Sequence, residues 1–129
     1  MSGNPVRWFE IYVQNMVRAK DFYESVFQVK LERLNSAELE MWSFPMSMEA
    51  TGCAGALVKM NGVSSGGNSV LVYFACEDCA VEAARVAKFG GRVEREKYSI
   101  GEYGYIALVR DTEGNMIGLH SMTQSVDRP

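Results

Sequence analysis

The first part of the chain alternates apolar and polar side chains with the period of a β-strand. This alternation predicts a strand over Val6–Gln14 with one face on a core. Asn15 then offers an N-cap, and the apolar spacing that follows predicts a helix over Met16–Phe27. The two predicted strand faces are Phe9, Ile11 and Val13 on the core side, and Trp8, Glu10 and Tyr12 on the other side.

The rest of the chain repeats this plan. A segment rich in Gly and Ser, Asn61–Asn68, separates the two halves. In the second half Asp78 can cap a second helix, and Asp111–Asn115 is typical of a hairpin turn. The order β-α-β-β-β therefore occurs twice, with a period of roughly 60 residues. The remaining predicted elements are strands at Lys30–Leu34, Glu38–Pro45, Cys53–Met60, Ser69–Cys76, Arg92–Tyr98, Tyr103–Arg110 and Asn115–Ser121, and a helix at Cys79–Phe89 that Gly90 and Gly91 end.

Composition narrows the class of protein. The 129 residues suffice for one domain with its own core, and 22% of them are charged, with a net charge of −3. The basic residues are scattered, which argues against a nucleic-acid partner. No apolar run is long enough to span a bilayer, and the N-terminus lacks the apolar run of a secretory signal. Three cysteines, an odd number, are expected to be reduced thiols of a cytoplasmic protein.

Several motifs in this order resemble the vicinal-oxygen-chelate superfamily, which includes glyoxalases, bleomycin-resistance proteins and extradiol dioxygenases. The first strand and the run Arg18–Tyr23, followed by Val26 and Phe27, look like the family's first strand and helix. In the second half, Gly104–Ala107 and Asp111–His120 are similar to the family's last hairpin, with Thr112 where Pro is usual. The chain is identified as a member of the glyoxalase-like branch.

The resemblance implies an α+β fold. Two β-α-β-β-β modules would form a curved mixed sheet, a half-open barrel cup with the helices outside. Module one is expected at about 5–60, a linker at about 61–68, module two at about 69–122 and a C-terminal tail at 123–129 of a single domain. A homodimer is expected from the family.

The resemblance also locates the positions that usually hold a divalent metal. In metal-dependent members, the first and last strands of the modules supply the ligands. Matching the motifs places these positions on Trp8, Gly55, Leu71 and Gly118. None of the four has a side chain that can ligate a metal. No cofactor is therefore predicted, although a weak metal site at Glu10 and His120 stays open.

Other chemistry is expected on the cup face, the side of each sheet that faces away from the helices. A cup lined in this way has the composition of a small-molecule pocket. The aromatic residues could equally be ordinary filling of a small barrel. The side chains predicted on the cup face are Trp8, Glu10, Tyr12, Cys53, Leu57, Leu71, Tyr73, Met116 and His120.

Three of these residues are candidates for catalysis. Among apolar neighbours, Glu10 would be partly removed from water, which makes a carboxylate a stronger base. His120 is the only histidine and could shuttle a proton, with Tyr73 as an assistant. The alternatives are a solvated Glu at the rim and a hydrogen-bonded His at a strand end. Cys76 and Cys79 form a C-x-x-C pair at a helix start, but the remainder of the chain does not resemble thioredoxin.

Three functions are compatible with this sequence. The first is a metal-free small-molecule binder of the bleomycin-resistance type, with Trp8, Tyr12, Cys53, Leu71 and Met116 as ligand contacts. The second is a lyase- or isomerase-like enzyme, a relative of glyoxalases or dioxygenases, that uses Glu10 with His120 or Tyr73. The third is a dimerisation or interaction module without catalysis. Fold alone does not decide among them.

Overall fold

A computed structural model describes residues 3–35, 39–47 and 49–122. The predicted tail at 123–129 and the start of the strand predicted at Glu38–Pro45 lie outside these ranges. No helix in the described ranges is long and apolar enough to cross a membrane. The elements are β1 Trp8–Tyr12, α1 Met16–Phe27, β2 Glu32–Leu34, β3 Glu40–Ser43, β4 Ala54–Lys59, β5 Tyr73–Ala75, α2 Cys79–Lys88, β6 Arg92–Ser99, a short 3-10 helix Gly101–Tyr103, β7 Tyr105–Arg110 and β8 Met116–Ser121.

The strands form two four-stranded mixed sheets with the same internal order. The first sheet has the order β1-β4-β3-β2 and the second has the order β5-β8-β7-β6. In each sheet the first strand of the module pairs in parallel with its last strand, and the other pairs are antiparallel. The predicted α+β class with two β-α-β-β-β modules is thereby confirmed, and the described strands do not close into a barrel.

Both helices begin where the sequence predicts them. The Asn15 side chain accepts a hydrogen bond from the backbone N–H of Arg18, and Asp78 accepts one from Ala80. These caps satisfy N–H groups that the first turn of a helix leaves unpaired. Helix α1 ends at Phe27, and the backbone of its C-cap residue Gln28 adopts the left-handed conformation with φ 57°.

One core joins the two modules. Side chains from α1, α2 and the helix-facing sides of both sheets belong to a single buried cluster. The Phe9 ring of β1 lies 6.0 Å from the Phe74 ring of β5, nearly perpendicular to it, and Phe74 stacks on Phe27 at 4.5 Å. The modules therefore pack against each other within one chain, and this packing contributes hydrophobic and aromatic stabilisation.

A polar clasp between the modules reinforces this core. The hairpin turn between β7 and β8 meets the end of β1 and the start of α1. Glu113 accepts hydrogen bonds from the backbone N–H groups of Gln14 and Asn15 and forms a bidentate ion pair with Arg18. Burial alone would raise the pKa of Glu113, but the Arg18 guanidinium and these N–H donors lower the pKa to about 2.

Most predicted strands are shorter in the structure, and the later starts of β5 and β7 have an identifiable cause. Strand β5 begins at Tyr73 rather than at Ser69, because the Asn68 side chain takes over the pairing with β8. Its amide accepts from the N–H of Met116 and donates to the C=O of the same residue. Strand β7 begins at Tyr105 rather than at Tyr103, since Gly101–Tyr103 turns as a 3-10 helix.

Candidate functional site

The cup face of β1 carries the three polar and aromatic side chains that the alternation predicts. Ile11 is buried in the shared core, whereas Trp8 is 37% exposed and Glu10 is exposed on the opposite face. The register extends this face to β4, where Trp8 lies opposite Ala54 and Glu10 lies opposite Ala56. Ala54 lines a cavity beside Trp8, whereas Ala56 is fully buried on this face.

Glu10 joins its two neighbours on this face. One carboxylate oxygen accepts from the indole N–H of Trp8 at 3.1 Å, and the other accepts from the hydroxyl of Tyr12 at 2.8 Å. The hydrogen bond to Glu10 and partial burial raise the pKa of Tyr12, so its phenol remains a donor at neutral pH. Glu10 is exposed to water. The prediction that its carboxylate is partly buried is therefore wrong for the single chain.

On module two, Tyr73 forms the matching part of the cup face. Tyr73 lies opposite Gly118 in the parallel pair of β5 and β8, and its side chain is 48% exposed. A Cβ at position 118 would clash with the Tyr73 ring, so the ring lies directly on the backbone of β8. Because Gly118 has no side chain, the Tyr73 ring can approach the strand this closely and form an aromatic surface there. Leu71, just before β5, is 36% exposed.

Met116 and His120 also lie on the cup face of β8, as expected. His120 Nε2 is 2.7 Å from the backbone oxygen of Tyr103. A carbonyl oxygen only accepts, so Nε2 carries the proton in this contact, and neutral His120 presents Nδ1 as an acceptor. This hydrogen bond holds the 3-10 segment Gly101–Tyr103 against the end of β8.

In β4, the last strand of module one, the residue that corresponds to Gly118 lies one position later than predicted. The N–H of Val13 donates to Val58, as that of Cys76 donates to His120, so Val58 is the counterpart of His120. Counting back two residues in each strand makes Ala56, not Gly55, the counterpart of Gly118.

This shift reverses two of the predicted orientations. Leu57, predicted on the cup face, is fully buried in the core beside Ile11, its partner in the register. Gly55 faces the core as well, because the Phe9 ring occupies the space where a Cβ would stand.

The usual metal ligands of the family do not fit these positions. With the corrected register the four positions are Trp8, Ala56, Leu71 and Gly118. None offers a carboxylate, imidazole or thiolate, which are the side-chain donors that divalent metals take in proteins. The described residues also contain no group of three or more His, Cys, Asp or Glu side chains that could hold a metal ion.

Two cavities open beside the cup face of β1. The larger, about 560 Å³, lies between Trp8, Arg7, Met46 and Cys53. The smaller, about 230 Å³, is bounded by Glu10, Tyr12, Met116 and the segment between the modules. The larger volume is within the range of small-molecule pockets. Cys53 precedes β4 and is exposed at the edge of this larger cavity.

The C-x-x-C pair lacks the features of a reactive thiol. Cys79 is fully buried at the start of α2. Burial, together with the neighbouring carboxylate of Glu82, raises the pKa of the Cys76 thiol well above its usual value. A reactive thiol needs the opposite shift, since the thiolate is the nucleophile. Cys76 and Cys79 therefore function as core residues of module two.

Two further cup-face residues escape prediction from the sequence. Arg95 and Tyr98 lie on β6, where the guanidinium of Arg95 stacks on the Tyr98 ring. Residues three apart point to opposite faces of a regular strand, so the alternation separates them. Irregularities in the pairing of β6 with β7 bring them together. No pattern of apolar and polar residues in Arg92–Tyr98 marks these irregularities.

A family model matches the chain over residues 6–119, and its description is the glyoxalase/bleomycin resistance protein/dioxygenase superfamily. The chain belongs to this superfamily. The match covers both modules, including β1 with Glu10 and β8 up to Leu119. A search of curated proteins finds no significant match.

Solved structures share the fold at low sequence identity. The antibiotic binding protein TnmS3 from Streptomyces sp. CB03234 is 22% identical, with 95% of this chain and 99% of that chain covered and a TM-score of 0.71. A hypothetical protein from S. aureus is 16% identical, with 93% and 95% covered and a TM-score of 0.69. Glyoxalase I from Zea mays is 22% identical with a TM-score of 0.71. The alignment covers 95% of this chain, which spans only 46% of the maize protein.

Proposed function

We propose that this protein binds a planar aromatic small molecule on its cup face without a divalent metal. The proposal is supported above all by the Tyr73 ring, which lies against Gly118, a position where metal-dependent relatives have a metal-ligating side chain. Trp8 occupies the first-strand ligand position of the other module and is also partly exposed. Aromatic rings thus stand where metal ligands would be, and rings bind other rings by stacking.

The polar groups beside these rings suit recognition. Both oxygens of Glu10 already accept hydrogen bonds, which fixes the carboxylate while leaving lone pairs for a ligand donor. A pocket with mostly apolar walls and a few fixed polar groups is the usual design of a small-molecule site. The antibiotic binding protein TnmS3 has the same fold. This combination supports the proposed role in sequestering a compound, as in bleomycin-resistance proteins.

Catalysis is the weaker proposal. A general base for a lyase or isomerase needs a carboxylate that is short of stabilising partners, and Glu10 has two donors and contact with water. His120 donates through Nε2 to the Tyr103 carbonyl, which leaves only Nδ1 for a proton. Tyr73 stacks on the β8 backbone, and no hydrogen bond to it is observed from another described residue.

We further propose that two copies of the chain associate. Trp8, Leu71 and Tyr73 are each exposed by 36% or more on the cup faces of the single chain. Exposed aromatic patches of this kind mark binding surfaces, and a second copy would enclose a ligand that the single chain leaves open to water. Light scattering on purified protein measures the association directly.

We also propose a cytoplasmic location, because the three cysteines of the chain are free thiols.

Calorimetric titration with anthracene-2-carboxamide, an uncharged compound of three fused rings, tests the function. The unmodified protein is expected to bind it, and Trp8→Leu should lower the affinity about ten-fold, since aromatic contacts and lost apolar area both contribute. Trp42→Leu is the matched control because Trp42 is the other tryptophan and pairs with Leu57 on the helix-facing side. Absence of binding, or equal losses in both variants, would overturn the proposal.

A further inference from the structure

Strand β6 holds a cation that the proposed function leaves unused. The guanidinium carbon of Arg95 lies 3.5 Å from the centroid of the Tyr98 ring. At this distance the cation stacks on the face of the ring. Stacking fixes the plane of the guanidinium, while the N–H groups along its edge remain available to a ligand. The arrangement is pre-organised for a planar anion such as a carboxylate.

Local irregularity of the strand creates this pair. The register between β6 and β7 shifts between Val93 and Arg95, and it shifts again between Arg95 and Tyr98. Such bulges re-aim side chains and are frequent beside functional sites. Here they bring two residues that are three positions apart to the same side of the strand.

The pairing identifies that side as the cup face. Arg95 lies opposite Leu108, which in turn lies opposite Gly118. Tyr98 lies opposite Ile106 on the same strand as Leu108. Residues opposite each other in neighbouring strands point to the same face of a sheet. Arg95 and Tyr98 therefore share the face on which Tyr73 lies against Gly118.

The charge of Arg95 is unmatched on this face. Four other arginines, Arg18, Arg33, Arg92 and Arg110, each contact a carboxylate at 3.9 Å or less. Within the described ranges Arg95 has no such ion pair. By the same pairing Arg92 and Arg110 also lie on the cup face of module two, but both contact Glu94, so Arg95 is the arginine of β6 and β7 without an ion pair among the described residues. A ligand that extends across the sheet of module two from β5 would reach Arg95 on β6, the strand at the opposite edge.

We propose that Arg95, held by Tyr98, binds a carboxylate of the ligand, so that the protein selects planar aromatic carboxylates. This inference rests on the proposed function, because the ring system of the ligand is taken to stack on Tyr73. Strands β5 and β6 are three strand spacings apart, about 14 Å along the sheet. A compound of three linearly fused rings with a terminal carboxylate is long enough to approach both residues.

The test compares anthracene-2-carboxylate with anthracene-2-carboxamide, two probes that differ in charge but scarcely in shape. The unmodified protein is expected to bind the carboxylate about ten-fold more tightly, as a charge-assisted hydrogen-bonded pair provides. Arg95→Gln should abolish this preference, because it lowers the affinity for the charged carboxylate much more than the affinity for the uncharged carboxamide. Arg33→Gln is the control, because Arg33 lies on the edge strand of the other module and contacts Trp42 on the helix-facing side.

The possible results distinguish the anion site at Arg95 from the proposed binding of an aromatic ligand on the cup face. If both probes bind equally, or if Arg95→Gln retains the preference for the carboxylate, the anion site is wrong while the aromatic cup stands. If neither probe binds the unmodified protein, both proposals fail. If Arg33→Gln removes the preference as fully as Arg95→Gln, general charge rather than a site explains it, and the anion site is again wrong. Circular dichroism on each variant checks that the fold is retained.

Discussion

The ring of Tyr73 lies on the backbone of Gly118, and a side chain at position 118 would collide with it. This relationship replaces a metal-binding position of the family with an aromatic surface. It involves the parallel pairing of β5 with β8, so the surface is built into the sheet rather than carried by a loop. A ligand that stacks on Tyr73 depends on Gly118, although it does not touch a side chain there.

Substitution of Gly118 should therefore act through Tyr73. Gly118→Ala is expected to displace the ring and to lower the affinity for anthracene-2-carboxamide about ten-fold, because the stacking surface is lost. In a Tyr73→Ala background the same substitution should have little further effect, since no ring is left to displace. Calorimetric titration of the two single variants and the double variant gives this cycle. Additive losses in affinity would contradict the account.

The Tyr12 hydroxyl reports on Glu10. The hydrogen bond to the Glu10 carboxylate and the partial burial raise the pKa of Tyr12 above 10.0. Glu10→Gln should bring that pKa back toward 10.0, because the carboxylate that holds the phenolic proton is gone. Carbon-13 NMR of the tyrosine ring, assigned with a Tyr12→Phe variant, follows the titration. Glu102→Gln, on the exposed 3-10 segment, serves as the control. Identical Tyr12 titrations in the unmodified protein, Glu10→Gln and Glu102→Gln would show that the hydrogen bond between Tyr12 and Glu10 is absent in solution.

The clasp at Glu113 should make the protein sensitive to acid. Its pKa of about 2 lies below the ordinary value of 4.5, so the folded protein binds the Glu113 proton less readily than the unfolded chain does. The resulting stability is present above about pH 5 and is lost as the pH falls toward 2. At about 1.4 kcal/mol per pKa unit the shift corresponds to about 3 to 4 kcal/mol, and screening by water at the half-exposed Arg18 side chain reduces the expected contribution to about 2 kcal/mol of free energy of unfolding at pH 7.

Glu113→Gln tests this linkage. The variant should be less stable than the unmodified protein by that amount at pH 7, and the difference should shrink as the pH falls from 5 to 2. Denaturant unfolding at a series of pH values measures it. Glu96→Gln, at an exposed position of β6, should leave the profile unchanged. A constant gap between Glu113→Gln and the unmodified protein over this range would refute the role of the clasp.

The buried hydroxyl of Tyr23 should contribute to the packing of the modules. It donates to Asp111 at 2.7 Å, and Tyr23 is fully buried. Tyr23→Phe removes the donor and leaves a buried carboxylate with one partner fewer, so a loss of about 1.5 to 3 kcal/mol in the free energy of unfolding is expected. Tyr103→Phe is the matched control because Tyr103 is 68% exposed. Equal stabilities of the two variants in denaturant unfolding would be evidence against this contact.

Strong local patterns predicted much of the fold and one wall of the site. Trp8, Glu10 and Tyr12 alternate cleanly with apolar residues, so their face could be predicted before the structure. The caps at Asn15 and Asp78 likewise fix the helix starts through contacts with N–H groups a few residues away. In each case the information is local, and the structure adds only the partners.

Where nearly every residue of a strand is apolar, the sequence does not show which of its side chains face the core. Strand β4 runs Ala54–Lys59 with apolar residues at nearly every position, so alternation does not distinguish its faces. Only the pairing with β1 shows that Leu57 faces the core. The pairing of Asn68 with Met116 and the bulges around Arg95 are also tertiary features. They depend on contacts between distant segments that no local pattern records.

The dependence of ligand binding on metal tests the central claim most directly. Anthracene-2-carboxamide is titrated into protein treated with EDTA and, separately, into protein incubated with Zn²⁺, Ni²⁺, Mn²⁺ or Fe²⁺, with elemental analysis of each sample. The affinity should be the same in all samples and about ten-fold lower in Trp8→Leu. Binding that EDTA abolishes and a metal restores at one ion per chain would contradict metal-free binding, since the cup face would then hold a metal centre built from other residues.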